Sequence, residues 1–317
     1  MIANNSTNSY STYVTTWGTD PLIQIQDMIN NNVIQTNTRI ILAFASFNFS
    51  STDYIPGFGN ISMSETQQIT NLVHSHGGKI SLSVGGATYP FAGSDLYSKP
   101  GDLANNINQI LIKVGFDGVD FDIEDSYSNV PSDFANQAAS LINTLKSINS
   151  GLCITLTTPA QAWASGCYQQ SLLNMTIGNL GAWQPMEYDL WIESGSTYYQ
   201  QIQSDINYYI STWLVDPSKI ILGLMPGKDD MNRDLILQDA LNLTSFAKQK
   251  NLQGVMTWDA NIDATGPDGN APYAYSLGIE SMLFSTMQGR QSHMLQNWNQ
   301  MRETSPAPGW TLEERIR

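Results

Sequence analysis

The residues best placed to do chemistry lie in one stretch, Gly115-Phe-Asp-Gly-Val-Asp-Phe-Asp-Ile-Glu124. Side chains alternate across a strand, so Asp120, Asp122 and Glu124 share one face while Val119, Phe121 and Ile123 share the other. The apolar face suits helices packed behind a sheet. Three carboxylates in a row do nothing for folding, because like charges turned into a protein interior without partners cost free energy. They suit an active site at a strand end, with Glu124 nearest the mouth and Asp122 and Asp120 progressively deeper. A solvated acidic edge strand would not carry Val, Phe and Ile on its back. A calcium loop needs a different spacing and a glycine turn at its middle.

Such a strand needs a frame. Strands are predicted near Tyr13–Trp17, Arg39–Phe47, Lys79–Val84, Gly115–Glu124, Leu152–Thr158, Trp183–Leu190, Lys219–Met225 and Gln253–Trp258. Helical patterns separate them. Before the fourth strand, Leu103, Ile107, Ile110, Leu111 and Val114 recur at helical spacing; after it come Phe134, Ala138, Leu141, Ile142, Leu145 and Ile148, with Pro131 near the start. Ser64 and Gln67 have capping-box spacing ahead of the second helix. Strict βα alternation implies a parallel sheet with helices outside. Eight units predict a (β/α)8 TIM barrel of the α/β class, whose active site lies at the C-terminal ends of the strands. No Gly-x-Gly-x-x-Gly turn follows the first strand, which argues against a dinucleotide fold. The barrel is assigned to residues 1–287, and 288–317 to a C-terminal extension without assigned role. From Gly227 to Gly254 there is room for little more than one helix.

Composition narrows the partners. The chain has 317 residues, 41% of them hydrophobic, and only 14 Lys and Arg against 28 Asp and Glu, for a net charge of -14. That balance argues against nucleic acid and against an anionic membrane surface. No apolar run approaches the roughly 20 residues of a spanning helix. The opening MIANNSTNSYSTY lacks the basic and apolar regions of a signal peptide. Cys153 and Cys167 cannot form a disulfide framework, and Cys153 reads as a buried thiol. His74, His76 and His293 show no metal or triad context; the first two read as an exposed helix end before Gly77-Gly78.

Four motifs, in order, carry a resemblance. Asp117-x-x-Asp120-x-Asp122-x-Glu124 is the first, Ser83-Val84-Gly85-Gly86 ends strand three, Met186-Glu187-Tyr188-Asp189 ends strand six, and Trp258 ends strand eight. On these residues the chain resembles family 18 of the glycoside hydrolases, the chitinases and their relatives. Thr15-Thr16-Trp17-Gly18 departs from the pattern where many relatives carry a tyrosine, as does Ala87 after the double glycine. The short segment after strand seven implies a single domain without the small α+β insertion of deep-cleft relatives.

The resemblance implies substrate-assisted hydrolysis. Glu124 is then the acid and base, and Asp122 holds the acetamido N–H of the sugar in the −1 subsite. Asp120 shares a proton with Asp122, and Tyr188 aligns the acetamido carbonyl. Trp258 lies beneath the sugar, with Asp189, Met186 and Gly86 as further substrate contacts. Asp117, Ser83 and Gly85 are supporting residues. No metal or cofactor is implied. The implied partner is chitin or an N-acetylglucosamine-containing oligosaccharide, handled by a secreted monomer that cuts internally. Two alternatives are an endo-β-N-acetylglucosaminidase acting on N-glycans and a chitin-binding lectin that has lost catalysis; the retained Glu124 counts against the lectin. Trp163, Trp191, Tyr198 and Tyr199 either stack on further sugars or pack in loops and helices.

Overall fold

Eight parallel strands close into a barrel in which each strand hydrogen-bonds its sequence neighbours and the last pairs with the first. The computed structural model describes residues 9–59, 61–126, 130–161 and 167–284; Trp163, His293 and the 288–317 extension lie outside them. The strands are β1 (Ser9–Thr15), β2 (Thr38–Ala45), β3 (Lys79–Gly85), β4 (Gly118–Asp122), β5 (Cys153–Pro159), β6 (Ala182–Met186) and β7 (Ile221–Leu224). A two-stranded ribbon follows, β8 (Gly227–Lys228) and β9 (Asp234–Leu235), and β10 (Gly254–Thr257) is the eighth barrel strand. The helices between strands are α1 (Pro21–Asn30), α2 (Met63–Ser75), α3 (Pro100–Val114), α4 (Phe134–Ile148), α5 (Gln169–Thr176), α6 (Tyr198–Ser211) and α7 (Leu237–Gln249), with α8 (Ala260–Asp263) and α9 (Ala274–Phe284) after β10. Between β7 and β10 the chain makes only the ribbon and α7, so no small α+β insertion stands there, as the short segment implied. No helix among the described residues is long and apolar enough to cross a membrane.

The local reasons are legible. α3 buries Leu103, Ala104, Ile107, Ile110, Leu111 and Val114 as one stripe, each large aliphatic side chain contributing about 1.5–3 kcal/mol. It stops at Gly115, whose φ of 90° suits glycine. That glycine therefore belongs to the helix end, and β4 begins at Gly118 rather than at Gly115. α4 buries its predicted stripe except Ile148, which is exposed. The capping box of α2 is formed by Ser62 and Glu65, not Ser64 and Gln67: the helix starts at Met63, which leaves Ser64 inside the first turn. Gln67 instead donates to the Lys113 carbonyl on α3. Cys153 and Cys167 are unpaired and half-buried, so the reading of Cys153 as fully buried does not hold.

Candidate active site

The carboxylate row stands where alternation puts it. Val119, Phe121 and Ile123 are fully buried, and Phe121 stacks against Phe47 from behind β2. Register then fixes the neighbours of the inward residues: Asp120 lies between Ser83 of β3 and Thr155 of β5, and Asp122 between Gly85 and Thr157. Glu124 follows two residues beyond the strand end.

Asp120 is a hub. Its Oδ2 accepts hydrogen bonds from the Tyr13 and Ser83 hydroxyls, both at 2.7 Å. Its Oδ1 accepts from Thr155 at 2.7 Å, Thr157 at 2.9 Å and the Gln184 amide at 3.1 Å. A carboxylate offers about four lone-pair sites, so these donors saturate it. Burial pushes its pKa up and the hydroxyl donors pull it back. Asp122 has no such compensation. It is 2% exposed, and its Oδ1 has no hydrogen-bond partner in the protein. Burial first, then the charges of Glu124 and Asp120, hold its pKa well above the usual range. The donors thus favour the charged form of Asp120 over that of Asp122.

Glu124 is half-buried and its pKa is pushed up to about 7. Burial is the main cause; the backbone N–H of Ala87 pulls down, and Asp189 and Asp125 push further up. Both of these charges come from loops rather than from β4. Asp125 receives the Phe91 and Ala92 N–H groups at 2.9 and 2.8 Å, anchoring the loop after β3.

The double glycine is a matter of space. A Cβ on Gly85 would meet the Asp122 carbonyl oxygen at 1.9 Å, and one on Gly86 would meet the Phe44 ring at 2.6 Å. Gly86 therefore supports Phe44 and does not line the cleft; Ala87 does. Tyr188 is 8% exposed and clusters with Met186 and Met225 against Trp258. Burial and the charges of Asp122 and Glu124 hold its phenol well above its ordinary range, so it is a neutral donor. Asp189 is exposed; its N–H donates to Asp229 and its Oδ1 accepts the Met231 N–H.

Asp117 is not where support for the carboxylates requires it. It precedes β4 at the opposite end, roughly 10 Å below Asp120 at the usual strand rise. There it accepts from His74 at 2.8 Å, the Ile80 N–H at 2.9 Å and Lys79 at 3.0 Å. His74 therefore ties α2 to the barrel through its hydrogen bond to Asp117, while His76 is the C-capping residue.

Four contributors escaped sequence reading. Tyr13 supplies a tyrosine from strand one, two residues before the Thr15 where it was sought. Thr155 with Thr157 and Gln184 are inward polar residues in otherwise apolar strands, an alternation that could have flagged them. Above them lies a cleft of about 1080 Å³ lined by Asp122, Glu124, Met186, Tyr188, Asp189 and Trp258 among others. Trp258 stacks on Phe44 at 5.4 Å and 14°, and Phe44 on Trp17 at 5.8 Å and 26°, so the rings form a track along one side. No Lys, Arg or His is among the described residues lining the cleft, so an uncharged ligand rich in apolar ring faces and amide groups fits it better than an anion. Tyr198 is half-buried with its hydroxyl on Asp229, and Tyr199 accepts from Gln203, so both belong to α6 packing. Trp191 is 74% exposed. No group of metal-binding side chains occurs among the described residues.

Residues 9–230 match the family described as glycosyl hydrolases family 18. Among curated proteins, none matches the chain. Solved structures do. The active domain 2 of a thermostable chitinase from Pyrococcus furiosus, as catalytic-site mutants complexed with chito-oligosaccharides, is 16% identical over 89% of this chain and 97% of that one, with a TM-score of 0.70. A family 18 chitinase from Pseudoalteromonas aurantia is 19% identical over 87% and 100%, with a TM-score of 0.68. A Group IV chitinase from Ostrinia furnacalis, in complex with allosamidin, is 16% identical over 87% and 98%, with a TM-score of 0.65. At these identities the likeness is one of fold.

Proposed function

The chain belongs to family 18 of the glycosyl hydrolases, and from that premise we propose that it cuts β-1,4 linkages within chitin or N-acetylglucosamine oligomers, with retention of configuration. The observation that carries this reading is the pairing of Glu124, poised at about 7, with the buried, unpartnered Oδ1 of Asp122. An orphaned acceptor in a closed site costs about 1–3 kcal/mol, and a substrate N–H relieves it. The acetamido N–H of a sugar resting on Trp258 is such a donor.

The steps follow. The acetamido oxygen attacks C1 of its own ring while the C1–oxygen bond to the next sugar breaks, and Glu124 gives its proton to the departing oxygen. Positive charge spreads over the oxazolinium ring, next to Asp122 with Asp120 behind it. Tyr188, a neutral donor, holds the acetamido carbonyl in line, a positioning effect. Water then attacks C1 and gives a proton back to Glu124. Two inversions at C1 leave the β-anomer. An initial α-anomer by NMR would reject this course.

Internal cutting is supported by the absence of a small α+β insertion between β7 and β10. A mainly disaccharide product from the earliest times would argue against it. We place the enzyme outside the cell as a monomer. Colloidal chitin assayed beside cellulose and a high-mannose glycoprotein tests the substrate class: chitin is expected to be cut. Preference for the glycoprotein would favour N-glycan trimming, and binding without cleavage a lectin.

A further inference from the structure

Behind the cleft wall made by Asp189 and Leu190 sits a buried carboxylate that the proposed chemistry does not use. Asp205, on α6, is 1% exposed. Its Oδ1 accepts from the Gln201 amide at 2.8 Å and its Oδ2 from the Gln161 amide at 3.1 Å. With both NH₂ groups turned to Asp205, both amide oxygens face the loop between β6 and α6. The Gln161 oxygen accepts the Trp191 N–H at 2.7 Å, and the Gln201 oxygen accepts the Glu193 N–H at 2.9 Å. Gln161 also donates to the Trp191 carbonyl, so it clamps that residue's backbone on both sides. Gln161 is itself held at φ 56°, with its own N–H on the Tyr209 hydroxyl at 2.9 Å.

The clamp fixes the backbone of a tryptophan that is 74% exposed. Trp191 directly follows Asp189 and Leu190, which line the cleft together with Gln161. These residues rise from the β5 and β6 side. Trp17, Phe44 and Trp258 rise from β1, β2 and β10, across the barrel. The apolar C–H face of a pyranose ring gains by covering such an indole, which is large, rigid and already ordered.

We propose that Asp205 is a positioning residue that, through Gln161 and Gln201, holds Trp191 at the cleft rim as a platform for a further sugar unit, at the end away from Trp17. This rests on reading the cleft as a chito-oligosaccharide site. An ionised carboxylate only accepts, so it sets both amides at once. Burial pushes Asp205 up to about 6, against the pull of the two amides, which leaves it ionised at neutral pH. Asparagine at 205 keeps the shape but turns its own NH₂ on one of the glutamines. That amide must then rotate and offer a donor to a loop N–H, which breaks one anchor.

The test combines amide hydrogen exchange with kinetics on two substrates, chitohexaose and an aryl chitobioside too short to span the cleft. For Trp191→Ala, KM for the hexamer is expected to rise about tenfold more than KM for the aryl chitobioside, with kcat nearly constant, the scale of one aromatic contact. Asp205→Asn and Gln161→Ala are expected to show the same split at about threefold, and faster exchange at the Trp191 or Glu193 amide. Unchanged exchange in both Asp205→Asn and Gln161→Ala overturns the latch. Equal effects of Trp191→Ala on the two substrates overturn the platform. If the wild type cleaves neither substrate, the enzymatic reading fails separately. Exchange, and calorimetric titration of chitohexaose into wild type and Trp191→Ala, then still decide the latch and the platform.

Discussion

At the lower end of β4, Asp117 sits among a histidine, a lysine and a backbone N–H; at the upper end, Asp122 and Glu124 have no cation beside them. Burial pushes every one of these carboxyls upward. Below, the Ile80 N–H, His74 and Lys79 outweigh it and hold Asp117 beneath the usual range. Above, nothing outweighs it, and Asp122 and Glu124 stay raised. Carboxyls at the two ends of one strand are thus built once with partners that favour the charge and once without them. What differs is the partners brought by neighbouring elements, so motif membership alone does not assign a role.

The largest effect expected from this contrast is at Glu124. Glu124→Gln keeps shape and removes the proton, and turnover should fall by about 10²–10⁴-fold, with chito-oligosaccharide affinity largely retained by calorimetry. More than about a tenth of wild-type turnover would remove Glu124 from the acid role. Asp122→Asn should lower kcat strongly and KM little, because the charge it faces develops mainly in the transition state; a raised KM at constant kcat would contradict this. Tyr13→Phe strips one donor from buried Asp120 and should cost about 1–3 kcal/mol in urea unfolding. Asp117→Asn should lower stability by about 1 kcal/mol and leave kcat unchanged, and an equal loss of kcat would erase the contrast between the two ends.

The smallest effects concern pH, and their signs differ. Asp117 has a lowered folded pKa, so its contribution is fully present above the unfolded value of about 3.9 and is lost as pH falls through the folded one. Glu124 has a raised one, about 7 against an ordinary 4.5, so ionising it in the folded state costs stability as pH climbs through that window. Glu124→Gln should therefore melt above wild type at pH 8, with the gap closing toward pH 5. Turnover of the wild type should fall as pH rises through about 7.

Much of this was legible in the sequence because the barrel repeats one unit. Strand period and helix period located every barrel strand, and the alternation in β4 sorted its two faces correctly. Strand ends were read too long, as at Gly115 and at Leu190, because composition does not mark where pairing stops. The roles given to Asp117 and Gly86 were misread for a related reason. Sequence shows that residues share a motif, while the partners of Asp117 come from α2 and β3, and the Phe44 ring under Gly86 comes from β2. Tyr13, Gln184 and Asp205 escaped because their meaning lies in contacts between residues far apart in the chain.

The central claim is that the upper end of β4 supplies the acid while the sugar supplies the nucleophile. Sequencing the new chain ends produced from partly acetylated chitosan tests it directly. An oxazolinium ring forms only from an acetamido group; an amine or a hydroxyl cannot close it. Every new reducing end should therefore carry N-acetylglucosamine, whatever unit stands on the other side of the cut. New reducing ends carrying mostly glucosamine would contradict the account, even if chitin itself were hydrolysed.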